Sequence, residues 1–278
     1  MTAGAPRCAR AVIEYEGTAF AGSQYQPNLR TVQGELEVAL NRLTGERVRI
    51  RLAGRTDAGV HATGQVVAFC LSRRAVGETL GWRELRERMN GLLPPDLAVR
   101  SLRSAPRGFD PRRQATARVY RYRIHTGGAK RPLDRHRAFA IGERLDIGAM
   151  RAAAEELLGE RDFAALGSDS RGSTTRRLSG ITIIRRGDLV EIRVTGNAFL
   201  RRMVRSIVAV LIEAGRGKLA PTAIAPLLRT GERALAGRAA PARGLTLERV
   251  IYLNTKRSGQ APEGRVGHRT ERTGEQAT

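Results

Sequence analysis

Between residues 53 and 61 the chain reads Ala53-Gly54-Arg55-Thr56-Asp57-Ala58-Gly59-Val60-His61, an arginine and a carboxylate two residues apart, bracketed by glycines. A carboxylate beside a cation can serve as nucleophile or general base, because the cation keeps it ionised inside a closed pocket. The flanks read as strands. Before the loop, Val48, Ile50 and Leu52 alternate with Arg47, Arg49 and Arg51. After it, Val66-Val67-Ala68-Phe69-Cys70-Leu71 is apolar throughout, as in a strand buried on both faces. Active-site groups are often carried on such loops. Spacing alone equally allows a plain turn, with Asp57 capping a backbone N–H and Arg55 in solvent.

Other candidates for chemistry are few. Arg205 stands one residue beyond the Met203-Val204 stripe of an apolar helical pattern, so it is either a solvated flank residue or the buried partner of an acid. Tyr120 lies in a strand among Arg118, Arg121 and Arg123; it is either a sheet-face aromatic or a platform for an extruded base. Gly215-Arg216-Gly217-Lys218 is no phosphate loop, since Ile212 stands where a glycine is needed and the run ends a helix instead of opening one. Two cysteines, Cys8 and Cys70, make neither a disulfide framework nor a zinc pattern. The four histidines are scattered, so no metal site is expected.

The elements that must position these groups form two similar halves of 278 residues. The first runs strand (Val12 to Tyr15), helix (from Thr31 to Gly45), strand, strand, helix (Trp82, Leu85, Met89, Leu92) and strand (Leu97 to Leu102). The second repeats that order from Thr116, with a hairpin across Arg186-Gly187-Asp188 and an amphipathic helix at Leu200 to Leu211. A shorter helix from Pro221 and a strand at Leu247–Leu253 close it. This predicts an α+β fold of two ferredoxin-like (split βαβ) subdomains with antiparallel sheets. The expected limits are a flexible N-terminus over 1–10, subdomains over 11–108 and 109–254, and a disordered tail over 255–278. Helices on one face of such sheets leave the other for RNA, although the aromatic signature of RNA-recognition modules is absent.

Charge points to the partner. Lys+Arg number 49 against 27 Asp+Glu, a formal net charge of +22, nearly all of it arginine. Self-repulsion of that size signals a polyanionic partner, most often nucleic acid, and arginine suits phosphates and base stacking. Residues 1–10 lack an apolar signal core and no apolar run spans a membrane, so a soluble cytoplasmic protein is expected.

The Asp57 block, with Gly64-Gln65-Val66, resembles the signature of the TruA family of tRNA pseudouridine synthases. Glu14-Tyr15-Glu16-Gly17, Thr31-Val32-Gln33-Gly34, the Tyr120-Arg121-Tyr122 strand, Asn197-Ala198-Phe199 with Met203-Val204-Arg205, and Gly244-Leu245-Thr246-Leu247 are similar to further family blocks, in family order. The resemblance implies an isomerase that converts uridine to pseudouridine at positions 38–40 of the tRNA anticodon arm, as a homodimer with a basic cleft and without cofactor. Asp57 would be the nucleophile, by attack on the sugar C1′ or the ring C6. By the same resemblance Arg55 enters the stack vacated by the target, Tyr120 packs on the flipped uracil, Arg205 pairs with Asp57, and Leu245 lines the pocket. Ser23 departs from the family's usual Trp, Ala209 from a common Gly, and residues 168–175 align poorly. The competing reading is a basic RNA-binding protein whose Asp57 is structural. A methyltransferase is disfavoured because no glycine-rich cofactor loop follows the first strand.

Overall fold

The structure, a computed structural model, describes residues 5–72, 81–167, 172–230 and 239–253. The expected disorder of the tail, and residues 168–171 of the poorly aligned 168–175 segment, lie outside the described residues. The first half comprises β1 (Arg7–Tyr15), α1 (Val32–Thr44), β2 (Arg51–Leu52), β3 (His61–Leu71), α2 (Trp82–Leu92) and β4 (Leu97–Ser104). The second comprises β5 (Ala115–His125), β6 (Phe139–Ala140), α3 (Ile147–Glu155), β7 (Gly159–Asp162), β8 (Thr175–Arg186), β9 (Leu189–Gly196), α4 (Met203–Gly215), α5 (Ile224–Thr230) and β10 (Leu245–Tyr252). The fold is α+β, with a large and mostly antiparallel sheet in the order β4-β1-β3-β10-β5-β9-β8-β7.

One edge of β3 positions the loop singled out in the sequence. β1 covers the other edge along nearly its whole length. On this edge β2 pairs with Val67 and Ala68, and β10 runs parallel beside His61 and Ala62. The loop over residues 53–60 therefore lies where one neighbour of β3 gives way to the next, and the first residues of β10 are delivered to it. The approach is close: a Cβ on Gly64 would stand 2.3 Å from the Glu248 carbonyl oxygen, so only glycine fits there.

Local signals explain the helices. Thr31 caps α1, its Oγ1 accepting from Gly34 N–H at 3.2 Å, and Gly45 ends it at φ 70°. Val32, Leu36 and Leu40 repeat every four residues and are buried. Each such leucine contributes roughly 1.5–3 kcal/mol by leaving water. α4 is buried almost all round, and its half-buried strip is Arg205, Ala209 and Glu213, spaced by four. Arg205 thus occupies the one side of this helix that faces neither full core nor open solvent.

Three sequence readings change. β1 starts at Arg7, so residues 7–10, expected to be flexible, pair with β3, and residues 9 and 10 also with β4. The short runs of β6 and β7 were not foreseen. Cys8 and Cys70 form a disulfide, because the antiparallel register sets them directly opposite one another with Cα atoms 4.0 Å apart; a separation of 62 residues hides that pairing in the sequence. On the sheet face opposite the apolar side chains of β5 and β9, Arg121, Arg123 and Arg193 engage Glu191 and Glu248, so this face neutralises much of its own charge. Among the described residues no helix is long and apolar enough to cross a membrane.

Candidate active site

Three segments, β3, the Ser23 region and β1, hold the start of the loop that carries Asp57. Ala53 N–H donates to Val66 O at 2.8 Å, and the fully buried Gln65 donates from Nε2 to Gly54 O at 2.7 Å. Thr56 is fixed on three sides: its N–H donates to Ser23 Oγ (2.8 Å), its carbonyl accepts from Ser23 N–H (3.1 Å), and its hydroxyl bonds the Tyr15 hydroxyl (2.8 Å). Burial pushes the Tyr15 phenol up to about 12, so it stays neutral. Past Asp57 the chain turns back through Gly59 at φ 77°, a conformation that favours glycine, with Val60 N–H bonded to Asp57 O at 3.1 Å.

His61 anchors the far end. Its Nδ1 accepts from Gly17 N–H at 2.9 Å, which leaves Nε2 to donate to Arg243 O at 3.0 Å. Burial lowers its pKa, while nearby Glu16 opposes that shift. The neutral ring therefore ties the loop to the turn that leads into β10.

Ser23, the departure from the resembled family, is thus a full participant: wholly buried and bonded twice to the residue beside Asp57. Ser23→Ala strands the Thr56 N–H in the interior at a cost of about 1–3 kcal/mol. We expect Tm to fall by roughly 5 °C and kcat to drop several-fold, as read by calorimetry and steady-state kinetics. An unchanged Tm would show that the hydroxyl is dispensable.

The start of α4 brings the cations. Arg205 Nη1 lies 3.3 Å from Asp57 Oδ2, and its Nε donates to Ala240 O at 2.7 Å. Arg201, just before the helix begins, reaches Asp57 Oδ1 at 3.9 Å from a far more exposed position. Between them Arg202 adopts φ 63°, which turns the chain into the helix. Tyr120 packs edge-on against Phe199, ring centroids 5.1 Å apart, and is nearly buried. Burial raises its pKa, so the phenol remains neutral. Arg118 is the hub that sequence missed. Its guanidinium donates to the carbonyls of Ala53 (3.0 Å), Asn197 (2.5 Å) and Arg112 (2.6 Å), joining the Asp57 loop, the approach to α4 and the segment before β5.

These groups surround a cleft of about 1100 Å³. Asp57, Arg55, Tyr120, Arg205 and Leu245, the five residues singled out in the sequence, all line it. So do Arg112, Arg118, Arg176, Arg201 and Arg202, while among the described residues Asp57 is the only carboxylate in the lining. The cleft can take a nucleotide, present one fixed carboxylate to it, and hold polyanionic backbone around the rim. Sequence reading missed Ser23, Gln65, Arg118, Phe199 and Arg201 as contributors. Ser23, Gln65 and Arg118 are polar residues turned inward, which no hydropathy pattern separates from surface ones.

The family described as tRNA pseudouridine synthase matches residues 11–106 and 153–253 of the chain. The chain is similar to the tRNA pseudouridine synthase A of Geobacter sulfurreducens, 44% identical over 249 residues that cover 88% of this chain and 100% of the relative. It is similar also to that of Geotalea uraniireducens, 42% identical over 87% of this chain and 98% of the relative. The same-named protein of Thermotoga neapolitana is 41% identical over the same shares.

Proposed function

The chain belongs to the tRNA pseudouridine synthase family and converts uridine to pseudouridine in tRNA; we propose that it acts at positions 38–40 of the anticodon arm, on a flipped-out uridine, with Asp57 as nucleophile. The observation that carries this reading is the lone carboxylate of an arginine-lined cleft, paired with Arg205 at 3.3 Å. The reaction is an internal exchange: the C1′–N1 bond breaks, C1′ bonds C5, and the proton leaving C5 is balanced by one gained at N1. Nothing is oxidised or hydrolysed, so the chemistry calls for no cofactor.

Roles follow from placement. Arg205 holds the Asp57 carboxylate and aims it into the cleft. Tyr120, held edge-on by Phe199, offers its ring to the extruded uracil, and Leu245 at the start of β10 closes the apolar side of the pocket. The exposed Arg55, two residues before Asp57, fills the stack that the uridine has left. A homodimer in the cytoplasm belongs to the same proposal and rests on the family resemblance.

Pseudouridine mapping on unmodified tRNA transcripts with uridines at 38, 39 and 40 tests the reading; conversion only at other positions would overturn the site assignment. Tyr120→Ala should cut kcat about 100-fold and tRNA affinity less than threefold, because the ring meets the base only after flipping. Equal losses in both constants would count against that role.

A further inference from the structure

The arginine alternation of residues 47–51 takes no part in the active site, and it borders a second hollow of about 500 Å³. Gln24, Tyr25, Arg55 and Arg112 line both this hollow and the catalytic cleft, so the two are continuous. Arg55 stands at their junction. We infer that the hollow is a second nucleotide subsite, where an unpaired base neighbouring the target uridine stacks on Tyr25 while Arg49 and Arg51 hold its phosphates.

Tyr25 is 47% exposed, an unusual position for a large aromatic. The Arg49 guanidinium lies 5.6 Å from its ring centroid, the arrangement of a cation–π pair. The platform is stiff. Tyr25 N–H donates to Gln33 Oε1 at 3.0 Å, and Gln33 Nε2 donates to Ile50 O at 3.2 Å, so one buried side chain fastens Tyr25 to the arginine segment.

Ile50 is buried between Arg49 and Arg51, which places both arginines on the exposed side, roughly 6.6 Å apart along an extended chain. Their acidic partners are distant: Arg49 to Glu37 at 3.7 Å and Arg51 to Asp110 at 3.9 Å. Exposed pairs of that length are readily exchanged for phosphate. Asp110, the one acid in the lining, spends its Oδ1 on the N–H groups of Arg112 and Arg113, at 2.8 and 2.9 Å. An exposed aromatic sharing a hollow with two loosely held arginines is the usual composition of a site for single-stranded RNA.

This inference rests on the proposed flipping of a uridine into the adjacent cleft. The test measures tRNA binding against salt for the catalytically blocked Asp57→Asn protein carrying either Tyr25→Leu, Tyr25→Trp or Arg49→Gln with Arg51→Gln. Tyr25→Leu should weaken binding about tenfold without changing the salt slope, and Tyr25→Trp should restore it. The double arginine variant should flatten the slope of log K against log salt by about 1.4, at ~0.7 per lost phosphate contact. Binding within twofold of the parent in every variant overturns the subsite. A flattened slope with Tyr25→Leu silent overturns the stacking. If wild-type protein makes pseudouridine only at positions outside 38–40 while Tyr25→Leu still weakens binding, the site assignment fails and the subsite stands.

Discussion

Replacing Asp57 with asparagine is expected to lower pseudouridine formation by at least about 10⁴-fold, the scale of removing the proposed nucleophile from a site that keeps its binding groups. Asparagine has the same shape, and the Val60 N–H to residue 57 carbonyl bond that closes the turn is backbone, so the loop survives. What disappears is the charge. A neutral amide is a poor nucleophile, and it gives up the ion pairs to Arg205 and Arg201. Removing a carboxylate from an arginine-lined cleft makes its lining more positive. tRNA affinity at fixed salt therefore holds or rises slightly. Single-turnover mapping beside filter binding separates the two quantities. Turnover within tenfold of wild type would return Asp57 to the structural role that its turn geometry alone permits.

The parts of this site that were legible in the sequence are the local ones. Arg55 and Asp57 share one loop, its glycines mark the turn, and the alternation before it matches the burial of Val48 and Ile50. The order of the larger strands and helices followed from periodicity and from caps such as Thr31 and Gly45. Arg205 and Tyr120 were different. By spacing each stayed ambiguous, and resemblance to a family supplied their roles. The reason is that the contact between Arg205 and Asp57 spans 148 residues and depends on how α4 is set against the β3 edge. Periodicity gives the face of a helix, never its partner.

What stayed hidden has a common cause. Ser23, Gln65 and Arg118 are polar residues buried with their hydrogen bonds satisfied by backbone groups far away in sequence. Buried polar groups are costly unless paired, so their partners are specific, but the pairing exists only once the sheet has formed. The disulfide between Cys8 and Cys70 and the charge network of Arg121, Arg193 and Glu248 are register effects of the same kind. Here the sheet positions the candidate site: β2 yields the edge of β3 to β10, and the gap between them is filled by the Asp57 loop.

The second large effect is expected at Arg205. Arg205→Leu keeps the bulk of the side chain against α4 but removes two contacts, Nη1 to Asp57 Oδ2 and Nε to the Ala240 carbonyl. Breaking a fully buried ion pair costs about 3–5 kcal/mol. This pair is partly open, with side chains 16% and 25% exposed, so about 3 kcal/mol is appropriate, or roughly 10²-fold in kcat. Arg201 cannot compensate, since it stands 3.9 Å from the carboxylate and is 59% exposed, where solvent screens it. Arg201→Gln should accordingly cost less than about threefold. Arg205→Lys restores the charge without the fork that reaches Asp57 and Ala240 together, and should recover only part of the loss. The ranking of the three variants under saturating tRNA is the decisive observation. If Arg201→Gln proves as damaging as Arg205→Leu, the carboxylate is held by the whole cationic rim, and the α4 arginine loses its special place in positioning it.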